Sequence, residues 1–360
     1  MASRRTLLAG GAAVLAAAAA LGAFRWRQGA SAYENAIAAS RAALPPEPGL
    51  SDLVRYATLA ANGHNTQPWR FAASASGIAV TPDFSRRTPV VDPDDHHLFA
   101  SLGCAAENLS LAARAAGRSG TPAIGAEGIE IDLAPAAPAA GPLFAAIPHR
   151  QSTRSDYDGS TIEPALVDRL IAAAAGHGVE AIFISEPAER EAVLELVVAG
   201  NTAQLADPAF VRELKDWIRF SPAEAARRGD GLFAAASGNP ALPDWAGRLV
   251  IDRVLTAEAE NARYVRQIRS SSGLLVLVGP SDDPPGWMRA GLACQRLSLL
   301  ATAEGLKLAF VNQAVEDIPS RTELRSLLGL GERRPNLVLR IGRAAPLPFS
   351  PRRPVEAVLA

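Results

Sequence analysis

A fifteen-residue segment of this chain occurs twice. Gly103–Gly117 and Gly291–Gly305 align at an offset of 188 residues with eight identical positions. Three of the matches are alanine pairs, weak evidence in so alanine-rich a chain; Gly103, Leu109, Ser110, Leu111 and Gly117 carry the signal. Both copies read as helices that stop at a glycine, the usual C-terminal residue. Two unrelated Ala/Leu helices would also give such a match, but at this spacing in a 360-residue chain duplication into two related halves is the better reading.

Composition excludes some functions. Thirty-six basic residues face 37 acidic ones for a net charge of −1, which leaves no basic field for a nucleic acid. Only Lys215 and Lys307 are lysines, so any single arginine is weaker evidence here than elsewhere. Cys104 and Cys294 lack CxxC or Cys/His spacing, and we expect two buried free thiols and no metal site.

At the N-terminus, Arg4-Arg5 precedes an Ala/Gly/Leu run lasting to Phe24, the pattern of a twin-arginine export signal. The run is also just long enough for an uncleaved membrane anchor, and both readings stay open. Residues 1–30 are set apart on this ground, and the expected location is periplasmic or extracytoplasmic.

Residues 31–62 read as helical, interrupted by Pro45, Pro46 and Pro48. Strands are expected around 69–71 and 77–81 as a hairpin. A helix should open at Asp92-Pro93-Asp94-Asp95 and close at Gly117. A Pro/Ala/Gly-rich stretch at 134–142 reads as a linker. Beyond it come a helix at 164–175, a strand at 180–185, a polar and mostly helical stretch at 188–270, and a buried strand at 274–278. A long helix over 287–304 and a strand over 336–341 complete the pattern.

Three constellations offer chemistry. Residues 62–71 (NGHNTQPWRF) place amide, hydroxyl and backbone N–H groups directly after a helix, where they can read a flat heteroaromatic edge. Arg150-Gln151-Ser152-Thr153-Arg154 alternates guanidinium and hydroxyl donors along an extended segment, a sensible phosphate clamp. Arg352-Arg353 follows the last strand and a proline-limited turn. Each alone is equally a turn, a strand edge or surface charge.

Together with the Gly291…Arg296-Leu297…Gly305-Leu306 helix and turn, these motifs resemble the nitroreductase family over residues 50–360. The resemblance is to its exported, duplicated branch, the dormancy-associated nitroreductase-like proteins of mycobacteria. It implies an α+β fold in which two tandem halves, 31–142 and 143–360, form an intramolecular pseudo-dimer around central antiparallel sheets and long helices. It also implies FMN as cofactor and oxidation–reduction of nitroaromatic, quinone or similar flat acceptors by an unknown donor. The alternative is an FMN-binding protein that sequesters flavin without turnover. Gln-Pro-Trp survives only in the first half and Arg-x-Ser-x-Arg only in the second, so one site per chain and a monomer are expected.

Carried over by position, Arg150, Ser152 and Arg353 would meet the phosphate and ribityl chain, with Arg352 the alternative to Arg353. Gln151 stands in the same clamp where the family often has Arg. Arg154 would approach the pyrimidine edge. Asn62 (commonly Ser in the family), His64, Asn65 and Gln67 would line the ring from the other half, and Asn312 and Gln313 its remaining edge. No catalytic side chain is expected, because the flavin carries the chemistry. The insertion 188–270 is expected to act as a lid.

Overall fold

Prolines and small polar residues punctuate the chain where the sequence predicts. The computed structural model describes residues 4–74 and 76–360, with side chains from residue 19 onward. The expected leader therefore lies largely outside the described side chains. Among the described residues no helix is long and apolar enough to cross a membrane. Helix α1 (Arg4–Ser40) gives way at the proline cluster to α2 (Leu50–Ala57). Next come the hairpin β1 (Trp69–Ala73) and β2 (Gly77–Pro82), helix α3 (His96–Ala115), and strands β3 (Thr121–Ile124) and β4 (Ile129–Asp132). These strands form one antiparallel sheet in the order β1-β2-β4-β3.

The remainder builds a second sheet. Helices α4 (Pro142–Ala146) and α5 (Pro164–Ala175) lead to β5 (Glu180–Ile184), which is followed by five helices. These are α6 (Pro187–Ala206), α7 (Pro208–Trp217), α8 (Pro222–Arg228), α9 (Asp244–Val254) and α10 (Ala257–Arg269). A two-stranded parallel ribbon between α7 and α9, β6 (Ile218–Arg219) with β7 (Leu232–Phe233), carries no periodic signal in the sequence. Strand β8 (Gly273–Val278), helix α11 (Pro284–Ala303), β9 (Lys307–Phe310), α12 (Gln313–Glu316), α13 (Ile318–Leu327) and β10 (Pro335–Gly342) complete the chain. The second sheet is antiparallel in the order β5-β8-β10-β9.

Many of these helices open on proline, whose missing N–H costs nothing in a first turn. Asp207, Thr256 and Asp283 cap α7, α10 and α11 by accepting from backbone N–H groups. α3 opens at His96 rather than at Asp92-Pro93. Asp92 stays outside the helix and accepts from His97 N and Leu98 N at 2.9 Å, so its charge still lies at the positive end of the dipole.

Strand β8 is buried on both faces, as its continuous apolar run predicts. Leu275 and Leu277 point into the main core with α3, α5, α11 and the first sheet. Leu274, Val276 and Val278 point the other way, toward Val193, Val197 and Leu324. At the centre α3 and α11 cross at a pair of glycines. A Cβ on Gly103 would stand 2.0 Å from the Met288 carbonyl oxygen, and one on Gly291 would stand 1.9 Å from that of Ala100. Each contact is the other shifted by 188 residues. Only residues without a side chain permit so close an approach. Beside the crossing, both cysteines are free and buried, with Cys104 Sγ 3.2 Å from the Gly291 oxygen.

Chain ends tie the sheets together. Phe71 N donates to Val358 O and Ala360 N to Phe71 O, both at 2.9 Å, so the C-terminus runs beside β1. Thr153 N likewise donates to Leu308 O of β9 at 2.9 Å. The two segments expected to bind one ligand are thus each laid against a sheet.

Candidate functional site

The helix crossing sets up the first constellation. Gln295 of α11 donates to Asn108 Oδ1 at 2.8 Å, and its own oxygen accepts from Ala61 N at 3.1 Å. That bond fixes the start of the 62–67 loop. Within the loop His64, Asn65 and Gln67 have φ of 46°, 54° and 54°. Side chains other than glycine rarely adopt this left-handed region, and each instance costs about 1–3 kcal/mol. The surrounding hydrogen bonds hold the strain. Asn62 Oδ1 accepts from Gln67 N at 2.9 Å, and Asn65 Nδ2 reaches Gly231 O and Pro351 O at 3.1 Å. Gln67 Nε2 reaches Gly229 O at 2.8 Å, and its oxygen accepts from Arg353 N at 2.9 Å. Asn65 and Gln67 therefore staple the loop to the insertion and the tail, while Asn62 and His64 face a cavity.

That cavity holds about 520 Å³. Of the residues singled out from the sequence, Asn62, His64, Arg154, Asn312 and Gln313 line it. Arg154 is aimed by its backbone: Gln267 Nε2 and Arg263 Nη2, both from α10, donate to its carbonyl at 2.6 and 3.4 Å. From below, buried Arg340 donates to Thr153 O at 3.0 Å and Ser155 O at 2.8 Å, its guanidinium stacked 4.0 Å from the Tyr157 ring. Among the described residues the Arg154 guanidinium meets no carboxylate within 4 Å, and burial pushes its pKa down. Asn312 Oδ1 accepts from Val338 N at 2.9 Å; Gln313 donates to Tyr264 Oη at 2.6 Å, and its own oxygen is buried without a partner.

Arg150 and Arg352 lie elsewhere, around the C-terminal end of α2. Arg352 donates to Leu59 O and Ala60 O at 3.3 and 3.2 Å and to Asn65 Oδ1 at 3.0 Å, and it also reaches Thr58 O. Arg150 donates to Leu59 O at 3.1 Å and leaves its Nε without a partner. Arg41 joins them, donating to Pro148 O at 3.3 Å, stacked 3.8 Å from the Phe349 ring, its Nε also unpartnered. Burial lowers all three pKa values, and the repulsion of neighbouring guanidiniums adds to this for Arg41, at about 9, and for Arg352. None of the three meets a carboxylate within 4 Å among the described residues. Three cations facing only carbonyl oxygens make a donor set suited to an anion. Cys104, which lines the cavity, is close enough to Arg150 to influence it, so the two regions adjoin.

The other clamp residues have different neighbours. Arg353 lies 3.9 Å from the Asp83 carboxylate and donates to Ala357 O at 2.6 Å. Between the paired arginines it is thus Arg352 that joins Arg150. Gln151 exchanges two hydrogen bonds with the Leu347 backbone, at 2.7 and 2.8 Å, and anchors the tail. Ser152, two residues on from Arg150, is half-buried and bridges to Leu308.

Sequence reasoning missed a buried acid–base cluster on the cavity wall. His97 Nε2 lies 3.4 Å from Glu316 Oε1, and Glu316 Oε2 accepts from Gln204 at 2.7 Å. Burial pushes the His97 pKa down, but the bond to Glu316 and the charge of Asp92 outweigh it, so the net shift is upward. Burial works against the Glu316 carboxylate, yet its bonds from His97 and Gln204 hold it below its ordinary value. His64, with Nδ1 buried and unpartnered, is pushed by burial to about 4. The chain has only five histidines, and the His96-His97 doublet at a helix start is the signal that marks this cluster.

No model of a protein family matches the chain. It is 27% identical over 319 residues to a chain of Mycobacterium tuberculosis H37Rv named a putative NAD(P)H nitroreductase, covering 82% of this chain and 86% of that one. A second chain of that strain, named only as uncharacterized, is 26% identical over 339 residues, covering 86% and 92%. Among solved structures, a nitroreductase with bound FMN from Desulfitobacterium hafniense superposes with a TM-score of 0.37 at 14% identity, covering 60% of this chain and 94% of that one. One from Bacteroides fragilis, also with bound FMN, gives 0.36 at 15% identity, covering 57% and 90%. The motif set and these relatives point the same way: over most of its length the chain is similar to a mycobacterial chain named a putative NAD(P)H nitroreductase.

Proposed function

We propose that the protein is an FMN-dependent oxidoreductase holding one flavin per chain between its two halves. The observation that carries this reading is the guanidinium trio Arg41, Arg150 and Arg352, which meets carbonyl oxygens and no carboxylate within 4 Å among the described residues. A phosphate monoester supplies the missing charge, with Ser152 in reach of the same segment. The ring then belongs in the adjoining cavity, between Asn62–His64 on one side and Arg154, Asn312 and Gln313 on the other. FMN would supply two-electron and hydride chemistry there. Arg154, a cation at the pocket wall, would stabilise negative charge on a reduced ring. Acceptors are flat molecules such as nitroaromatics or quinones.

Several features extend the proposal. The reciprocal Gly103/Gly291 contacts favour duplication, with halves 31–142 and 143–360 and a monomeric pseudo-dimer. Arg4-Arg5 and the apolar run after it favour twin-arginine export, with the leader cleaved or kept as an anchor. Residues of α7, α9 and α10 wall the cavity, which favours a lid role for the 188–270 insertion. The same wall supports a second reading, in which the protein sequesters FMN and does not turn over.

Titration of flavin-free protein with FMN tests the main reading. We expect a 1:1 complex with a perturbed flavin spectrum. No binding, or binding unaffected by both Arg150→Ala and Arg352→Ala, refutes it. Stopped-flow reduction of the complex by NADPH and by a quinol separates turnover from storage.

A further inference from the structure

The cavity is chemically divided. One end presents Asn62, His64, Arg154, Asn312, Gln313 and Glu316. The other is walled by α7 and α9, and every residue these two helices contribute to the lining is apolar: Phe210 and Leu214 from α7, and Gly247, Val250, Ile251 and Val254 from α9. Gly247 lets α9 sit directly on Phe220, since a Cβ there would stand 2.2 Å from the ring. A small flat acceptor leaves this apolar wall uncovered.

The apolar surface continues through α9 to the outside. Val254 both lines the cavity and is 56% exposed, and Trp245 and Leu249 on the same helix are 73% and 62% exposed. Val254 therefore stands at an opening of the cavity, while Trp245 and Leu249 project from the opposite face of α9.

We propose that this cavity binds a tailed amphiphile: a quinone ring at the polar end and a single aliphatic chain along α7 and α9, entering past Val254. The ring position rests on the flavoenzyme reading above; the tail site does not. At the polar end the quinone ring would lie face to face with the flavin ring that Asn62, Arg154 and Gln313 hold. The far end offers a methylene chain only dispersion contacts and escape from water.

Calorimetric titration of the full chain with 2-methyl-1,4-naphthoquinones bearing n-alkyl tails of increasing length tests this. Tail burial should tighten binding by up to about fourfold per methylene until the chain reaches the mouth. Val254→Asp should flatten the dependence, while Leu249→Asp, on the outer surface, should leave it intact. Val250→Thr, which keeps the side-chain shape, should weaken the longer-tailed ligands selectively and carries the test should the aspartate variant misfold. Affinity independent of tail length overturns the proposal, as does an unaltered tail dependence in both lining variants. The flavin content of the same samples is read by absorbance. Tail dependence in protein that cannot hold flavin sinks the flavoenzyme reading and keeps this one; flavin without tail dependence does the reverse.

Discussion

The guanidinium trio and the His97–Glu316 pair are two groups of desolvated charges built on opposite principles. Arg41, Arg150 and Arg352 repel one another and meet only carbonyls, so their desolvation is uncompensated within the chain. His97 and Glu316 compensate each other at 3.4 Å, with Gln204 satisfying the second carboxylate oxygen. An uncompensated buried charge is costly unless something else supplies the partner, whereas a paired one is complete without a ligand. The contrast separates a binding element from a part of the wall. Arg150 and Arg352 donate to carbonyls at the C-terminal end of α2, where the helix dipole is negative and offsets part of the cost.

The largest effect that tests this contrast is on flavin affinity. Arg150→Ala or Arg352→Ala removes a charge-assisted contact worth roughly 1.5–3 kcal/mol, so FMN binding should weaken about tenfold to a hundredfold. Arg353→Ala should change it by less than about threefold, because Arg353 already has the Asp83 carboxylate within 3.9 Å. Equal effects at 352 and 353, read by fluorescence titration, would break the distinction between compensated and uncompensated arginines.

A second test is acid lability. Burial holds His64 and His177 neutral to about pH 4 and pushes the His96 pKa well below its ordinary value too. In the unfolded chain all three take up protons below about pH 6.5. The unfolded state therefore binds more protons, and stability falls as pH drops from 6.5 toward 4. For His64 alone the loss reaches up to roughly 3 kcal/mol. Urea unfolding at pH 7.5, 5.5 and 4.5 should show the midpoint falling, and His64→Asn should recover part of the loss. A midpoint that does not move over that range would remove the histidines from the account.

Much of the framework was legible in sequence because it rests on local rules. Period and punctuation give β8, α3, α11 and the β1–β2 hairpin, and Gly117 and Gly305 end their helices at φ 74° as expected. The repeat Gly103/Gly291 foretells the helix crossing because only glycine allows backbones so close. The site was legible as motifs but not as roles. Nothing local distinguishes Arg352 from Arg353; the choice depends on Asp83, some 270 residues away in the chain. Arg41 belongs to the trio only because the end of α1 folds back onto Pro148 and Phe349. Gln151 is the residue of its type that fits the Leu347 backbone, a tertiary partnership invisible in a clamp motif. The β6–β7 ribbon has two residues per strand, too few for any periodicity to register.

The smallest effect sharpens the other side of the comparison. If His97 and Glu316 are a self-compensated pair, each should hold the other's charge in flavin-free protein. The raised His97 pKa means the folded state keeps a proton that the unfolded chain releases above about pH 6.5. Its stabilisation is full below that pH and is lost as pH rises through the folded value. Glu316 behaves in the mirror sense: its lowered pKa stabilises the fold above about pH 4.5 and is lost as pH falls through the folded value. The pair is therefore worth most between about pH 4.5 and 6.5, where it opposes the destabilisation from His64 and His96. The charged groups facing His97 are Asp92 and Glu316, which favour its proton, and Arg334, which disfavours it; His64 and His96 beside it are neutral in that range. Glu316→Gln keeps the shape and a hydrogen bond but removes the charge. The His97 titration followed by NMR should then move to lower pH, by about one unit or less, since Asp92 remains. FMN affinity should fall less than in the Arg150→Ala or Arg352→Ala protein, because this pair lines the ring cavity but does not belong to the anion site. A His97 titration that does not move in the Glu316→Gln protein would show that the 3.4 Å contact carries no charge coupling, and the pair would lose its standing as the compensated counterpart of the arginine trio.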